Sequence, residues 1–269
     1  MDFDEHITRW GLVPDGHPIS THSSDLLPAL KDGVPVMLKI ARVTEEQSGA
    51  LLMQWWGGQG AARVLELEGD ALLMERATGP RSLSAMVRNG GDDDASRILC
   101  SVASELHAQR GKPPQSLIPL SRWFGALLST AERHGSLLAE ATATAKELLA
   151  NQRDVVVLHG DIHHGNVLDF GPRGWLAIDP KGLIGERTFD FVNLLRNPET
   201  SVALARCRFA RQASVIADAT RLDRKRLLQW TIAFSGLSAA WFLDDGRAPD
   251  VDMAVAELAR AELKRQAEV

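Results

Sequence analysis

The sequence predicts an α+β fold in two lobes, a small strand-rich N-terminal lobe with one helix and a larger, mostly helical C-terminal lobe. Three observations carry this. Apolar residues alternate with polar ones between turn residues in the early part of the chain. After Gly79-Pro80 the apolar spacing becomes helical. A cluster of short apolar runs at 154–180 then interrupts the helical sequence.

The elements follow in order. GVPVMLKIA (33–41) alternates and is bounded by Gly33 and Pro35, the pattern of a strand. EEQSGALLMQWW reads as a helix with Leu51, Leu52 and Trp55 on one face, stopped by Gly57-Gly58. AARVLELEGDALLMERA reads as two strands around a turn at 68–70. The N-terminal lobe then spans 1–78 and the C-terminal lobe 79–269. In the second lobe, Ile98, Leu99, Val102, Ala103 and Leu106 form one helical stripe over 96–107. Residues 123–149 read as a further long helical stretch. DVVVLHGD, NVLDF and WLAIDP are short strands joined by loops, and from Phe189 onward the chain is helical again. There is no internal repeat and no low-complexity linker.

Composition bounds the function. Of 269 residues, 45% are apolar, enough for a sizeable core. The net charge of −5 gives no global attraction to nucleic acid or anionic lipid, whereas a cationic small molecule is tolerated or favoured. Cys100 and Cys207 lie in helical apolar contexts and read as reduced packing residues. MDFDEHITRW has no apolar signal-peptide core, and no apolar run approaches the roughly 20 residues of a membrane span. A cytoplasmic monomer without membrane or nucleic-acid partners is expected.

The chemistry concentrates in VVVLHGDIHHGNVLDF. Asp161 and Asn166 lie five apart on a loop leaving an apolar strand, with His159 two residues before the aspartate. Asp179 ends a later strand, and Lys39 closes an earlier one. A transferring phosphoryl group is highly charged, so its catalysts mostly position and neutralise. Lysine offers a mobile point charge for phosphates. A loop carboxylate can accept the proton of an attacking hydroxyl. Asparagine carbonyl and carboxylate are hard oxygen ligands suited to Mg²⁺.

HGDIHHGNVL resembles the catalytic loop of the aminoglycoside phosphotransferase and small-molecule kinase superfamily. AIDPKGLIGERTFDFVNLLRNP and LLMQWWGGQGAARVLELEGDALLMERA are similar to its branch of streptomycin 6-phosphotransferases and hydroxyurea-type resistance kinases. The resemblance covers roughly residues 20–198. It implies a bilobal protein-kinase-like fold and ATP-dependent transfer of the γ-phosphate to a hydroxyl of an aminoglycoside, the 6-hydroxyl of streptomycin, with Mg²⁺. It implies Asp161 as base, Asn166 and Asp179 as metal ligands, and Lys39 on the α/β-phosphates. Glu45 or Glu46 would pair with Lys39, Glu46 being preferred. Met74, Glu75 and Ala77 would form the hinge whose backbone meets adenine. His159 and Asp190 would support the loop.

The sequence departs from that pattern in two places. Asp179 is followed by Pro180 and Lys181, and proline favours an extended conformation in the residue before it. No glycine-rich loop precedes Lys39; ISTHSSDLLPAL stands in its place. His163 and His164 lack the further spaced ligands of a zinc set; they shape the loop or border the acceptor, His163 being the candidate acceptor contact. Glu186 either lines the acceptor site or caps the next helix, with Thr188 as N-cap. Asp244 and Asp245, with Asp250 and Asp252, form either a solvated loop or an acidic wall for guanidinium groups. RLDRKR (221–226) reads as a solvated helix start, and His107 as a structural or surface residue. Competing readings are the same chemistry on another small hydroxyl acceptor such as hydroxyurea, a metal-dependent phosphohydrolase built on His159, Asp161, His163 and His164, and an inactive fold kept for binding.

Overall fold

The computed structural model describes residues 3–43, 45–130 and 136–267. The chain opens with helix α1 (Asp4–Trp10) and strands β1 (Leu12–Pro14), β2 (Ile19–Ser20), β3 (Ser24–Lys31) and β4 (Val34–Ala41). Helix α2 (Glu45–Trp56) and the hairpin β5 (Val64–Glu68) and β6 (Ala71–Glu75) follow. Among the described residues these strands form one antiparallel sheet in the order β1-β3-β4-β6-β5, with β2 paired to β3. Side chains alternate across a pleated strand. On β4, Val36 and Leu38 therefore join a small cluster with Leu12, Leu27, Ala29, Ala71 and Leu73. Met37 and Lys39 face the other way, towards α2 and the rest of the chain.

The expected β4, α2, β5 and β6 are present. β1 to β3 were not expected, because their composition argues against strand. SDLLPALK has no β-branched residue and carries Pro28 in its middle. Long-range pairing overrides this: β3 runs in register with β4 from Ser24 opposite Ala41 to Lys31 opposite Val34. On α2 the buried face is Ala50, Leu52, Met53 and Trp56, while Leu51 is 41% exposed. The expected face of Leu51, Leu52 and Trp55 is thus rotated by about one residue. The reason is that α2 packs its buried face into the main core, where each fully buried large apolar side chain contributes about 1.5–3 kcal/mol.

Beyond residue 78 lie α3 (Leu83–Arg88), α4 (Asp92–Leu106), β7 (Ile118–Pro119), α5 (Leu120–Trp123), α6 (Gly125–Thr130) and α7 (Ser136–Ala150). Within the expected long helix over 123–149 the described residues are helical in α6 and α7, after a turn at Phe124, and residues 131–135 lie outside the described residues. Next come β8 (Val155–Leu158), β9 (Val167–Asp169), β10 (Trp175–Ala177) and β11 (Leu183–Glu186). β11, short and containing a glycine, was not expected; it pairs antiparallel with β8 and parallel with β7. A 3-10 turn (Arg187–Phe191) leads into α8 (Val192–Arg196), α9 (Thr200–Ala203), α10 (Arg206–Thr220), α11 (Arg224–Asp244) and α12 (Asp250–Ala267). α11 is buried along nearly its whole length and packs against α7 and α12.

The main core is continuous from Ala50 on α2 to Ala259 on α12. Trp56 links its parts: the indole is 1% exposed, stacks on His159 and donates to the Leu106 carbonyl at 3.3 Å. Among the described residues no helix is long and apolar enough to cross a membrane. Cys100 is buried as expected, and burial pushes its thiol up to about 12. Cys207 is exposed, so it is not the packing residue expected from its apolar neighbours.

Candidate active site

The loop between β8 and β9 is held from below by one carboxylate. Asp190 accepts hydrogen bonds from the backbone N–H of His159 at 2.9 Å and of Gly160 at 2.7 Å, and contacts Nε2 of His107 at 2.7 Å. Burial alone would raise this carboxyl, but the His107 contact and the neighbouring donors hold it below the usual range. His107 is therefore a buried partner of the loop across the molecule. His159 is engaged at both ring nitrogens: Nε2 donates to the Ile178 carbonyl at 2.9 Å, and Nδ1 accepts from the Asp161 N–H at 3.2 Å. Burial pushes its pKa down, so the ring stays neutral.

Asp161 stands on the loop thus fixed. Its Oδ1 accepts from Asn193 Nδ2 at 2.9 Å and its Oδ2 from Asn166 Nδ2 at 3.3 Å. Asn166 Nδ2 also donates to the Asp161 carbonyl at 2.9 Å, so its nitrogen is turned into the loop. The carboxylate is oriented from both sides and keeps 30% exposure, which suits it to receive the proton of a hydroxyl. Asn193, on α8, had no signature in the sequence; its role arises only from folding.

The second cluster lies where β4, α2 and the end of β10 meet. Lys39 donates to both Glu46 on α2 and Asp179 after β10. Glu46 was the preferred partner of Lys39; the side chain of Glu45 lies outside the described residues. Asp179 does not adopt the extended conformation expected before proline. Its φ is +61°, in the left-handed region that aspartate visits more readily than most residues. Such a conformation costs of order 1–3 kcal/mol and persists because the surroundings over-determine it. Here the turn swings the carboxylate back over Lys39. Burial would raise its pKa, but Lys39 and Lys181 hold it well below the usual carboxylate range.

A cleft of about 330 Å³ runs between the sheet and the β9–β10 region. Lys39, Glu46, Met74, Asn166 and Asp179 line it, as do Thr21, His22, Ser23 and Ser24 from the turn that stands where a glycine-rich loop would be. This volume falls within the range of small-molecule sites. Of the expected hinge, Met74 lines the cleft, whereas Glu75 and Ala77 are not part of its lining; the Glu75 carboxylate binds Arg173 and the Arg63 N–H, and the Glu75 N–H donates to the Arg63 carbonyl at 3.0 Å. The Asn166 carbonyl and the Asp179 carboxylate face one cleft and are hard oxygen donors, a set that fits Mg²⁺.

Three expected roles fail on geometry. Glu186 is 1% exposed and bound in fork geometry by Arg226 at 2.6 and 2.7 Å, with the Arg153 N–H donating at 3.0 Å. It ties β11 to α11 and is closed to an acceptor. Thr188 is buried in the 3-10 turn and does not cap it. RLDRKR is not simply solvated, since Arg226 is buried in that pair. Asp244 and Asp245 lie exposed at the end of α11, apart from Asp252, which is 2% exposed and paired with Arg196. His163 stays near Asp161, at 3.9 Å, while its Nδ1 accepts from the Gly165 N–H at 3.0 Å. His164 is buried near Arg208, and burial together with that cation lowers it to about 4. Among the described residues no three His, Cys, Asp or Glu side chains stand where they could hold a metal ion, which removes the basis for the phosphohydrolase.

A strand lysine paired to a helix glutamate, a braced loop aspartate and a second aspartate lining the cleft with the lysine are the parts of a protein-kinase-like phosphotransferase. Comparison with known proteins agrees. The family model "Aminoglycoside/hydroxyurea antibiotic resistance kinase" matches residues 9–246, and the chain belongs to that family. It is 48% identical to the streptomycin 3''-kinase of Klebsiella pneumoniae over 94% of this chain and 98% of that one. It is 32% identical to the streptomycin 6-kinase of Streptomyces griseus over 89% and 81%. Among solved structures, the aminoglycoside phosphotransferase APH(4)-Ia in ternary complex with AMP-PNP and hygromycin B shares the fold, with a TM-score of 0.63, 14% identity and 98% of each chain covered.

Proposed function

We propose that this protein transfers the γ-phosphate of ATP to a hydroxyl of streptomycin, and that the 3''-hydroxyl is the acceptor position in place of the 6-hydroxyl expected from the resemblance. The observation that carries the chemistry is the doubly oriented Asp161 carboxylate beside the Lys39–Glu46–Asp179 cluster. The position is supported by 48% identity to a 3''-kinase over nearly the whole of both chains, against 32% to a 6-kinase.

In this reading residues 1–78 serve as the nucleotide-binding lobe and 79–269 as the lobe that binds the acceptor. Adenine lies by Met74 with its edge on the backbone of Glu75 and Ala77, and the phosphates run towards Lys39. The turn at Thr21 to Ser24 covers them at His22 and Ser23, replacing glycine-rich backbone, while the Thr21 and Ser24 N–H groups and the Thr21 hydroxyl are bonded within the turn and hold its shape. Asn166 and Asp179 would hold Mg²⁺, which supplies charge neutralisation at the phosphates. Asp161 accepts the proton of the attacking hydroxyl while Asn166 and Asn193 keep its oxygens aimed. His159, His107 and Asp190 hold the loop at the height that makes this reach possible. Phosphorylation adds bulk and negative charge to a cationic drug, which weakens its attraction to RNA phosphates.

The position is tested by isolating the product made from Mg·ATP and streptomycin and locating the phosphate by mass spectrometric fragmentation and NMR. Phosphate on the 3''-oxygen is expected. Phosphate on the 6-oxygen would overturn the position and leave the kinase intact.

A further inference from the structure

Lys181 is a second cation at the reacting end of the site. Its Nζ stands 3.6 Å from Asp179 Oδ2 and 3.7 Å from Glu46 Oε1. Both distances exceed a direct hydrogen bond. Lys39 differs: it donates to both of the same carboxylates directly. Lys181 also feels the charge of Asp161. Its side chain keeps 26% exposure, so its donors remain available to an incoming group.

The position of this ammonium is set by backbone. The Lys181 N–H donates to the His159 carbonyl at 2.7 Å, on the catalytic loop. On the other side, a Cβ at Gly182 would stand 2.9 Å from Ser48 Cβ, and one at Gly49 would stand 2.2 Å from the Pro180 carbonyl oxygen. The Asp179–Gly182 segment is thus clamped between the loop and α2. Lys181 lies outside the cleft lining that holds Lys39 and Met74 but borders it through Asp179 and Glu46, and the charge of Asp161 also acts on it.

Charge gives the reason for a second lysine. Asp161, Asp179 and Glu46 bring three negative charges here, Lys39 and Lys181 two positive ones, and Arg196, paired with Asp252, also acts on Asp161. Lys39 is already bonded to Glu46 and Asp179, so Lys181, which makes no direct hydrogen bond to either, is the lysine with donors left for an approaching phosphoryl group.

We propose that Lys181 contacts the transferring γ-phosphoryl group and stabilises the charge on its oxygens, while Lys39 serves the phosphates nearer the nucleotide. This rests on the kinase reading above. In the step, the acceptor oxygen forms its bond to Pγ, and the bond from Pγ to the bridging oxygen breaks with its electron pair leaving on ADP. The acceptor proton passes to Asp161. Lys181 forms no bond and gives up no proton.

The test compares wild type with Lys181→Met, reading kcat with streptomycin and the affinities for ADP and AMP-PNP. Removing one preorganised charge-stabilising donor lowers kcat by about 10²–10³-fold. ADP affinity should stay within about threefold, while AMP-PNP, which carries the third phosphoryl group, should lose about tenfold or more, the size of one charge-assisted contact. Lys181→Arg should recover part of the kcat. Lys181→Gln is read in the same way if the methionine variant does not fold. A kcat within threefold of wild type would overturn the proposal. So would equal losses of ADP and AMP-PNP affinity, which mark a latch between Glu46 and Asp179. If wild type turns over no acceptor at all, the kinase reading fails, and the gap between ADP and AMP-PNP still decides whether Lys181 meets a third phosphoryl group.

Discussion

Asp161 carries two amide donors, one per oxygen, from residues five and 32 positions away. That arrangement fixes the carboxylate plane before any substrate arrives. Asp161→Ala should lower kcat by about 10²–10⁴-fold, the usual worth of a positioned general base. ADP affinity should change no more than a few-fold, because Asp161 lies outside the lining of the cleft proposed to hold the nucleotide. Calorimetric titration with ADP beside steady-state rates checks both; turnover near the wild-type level would remove Asp161 from the base role. At this scale the sequence was readable where order and spacing alone define the group. Lys39, Asp161, Asn166 and Asp179 are of that kind. Asn193 and His107 are not: His107 meets Asp190 across 83 positions. Glu186 misled for the opposite reason. A glutamate in a loop-like stretch looks available until the fold delivers Arg226 from α11 to it.

Between elements, the decisive contact is α2 against the Asp179–Gly182 segment. α2 carries Glu46, the segment carries Asp179, and Gly49 lets the helix approach the Pro180 carbonyl. Gly49→Ala places a methyl group within 2.2 Å of that oxygen, so α2 or the segment must move. The expected outcome is a stability loss of about 1–3 kcal/mol, typical of overpacking, together with reduced kcat. Chemical denaturation and steady-state kinetics read the two effects; a variant unchanged in both would show that this packing does not position the site. The pattern of β4, α2, β5 and β6 was legible because period and turn residues agree there. β3 and β11 were not, because their pairing comes from distant partners and their own residues favour no strand. The strained Asp179 was equally hidden, since the local rule for a residue before proline points to extended backbone.

For the whole molecule, one core running from α2 to α12 holds the cleft wall and the catalytic loop in one packed unit. Trp56 on His159 joins them directly. The α+β architecture, an N-terminal sheet followed by a mostly helical part, was legible from the change of apolar period along the chain, and the family from the loop motif and the segments around it. The acceptor was least legible. In the proposed reading its pocket depends on how the C-terminal helices converge, and their sequence shows helical period without showing which faces meet. The central claim is that this packed unit is a kinase for streptomycin. The most direct measurement is ADP release from Mg·ATP by the purified protein, followed across streptomycin, other aminoglycosides and hydroxyurea. ADP release that depends on streptomycin and yields a product one phosphoryl group heavier is predicted. Release that is independent of every acceptor, or that follows hydroxyurea alone, would contradict it.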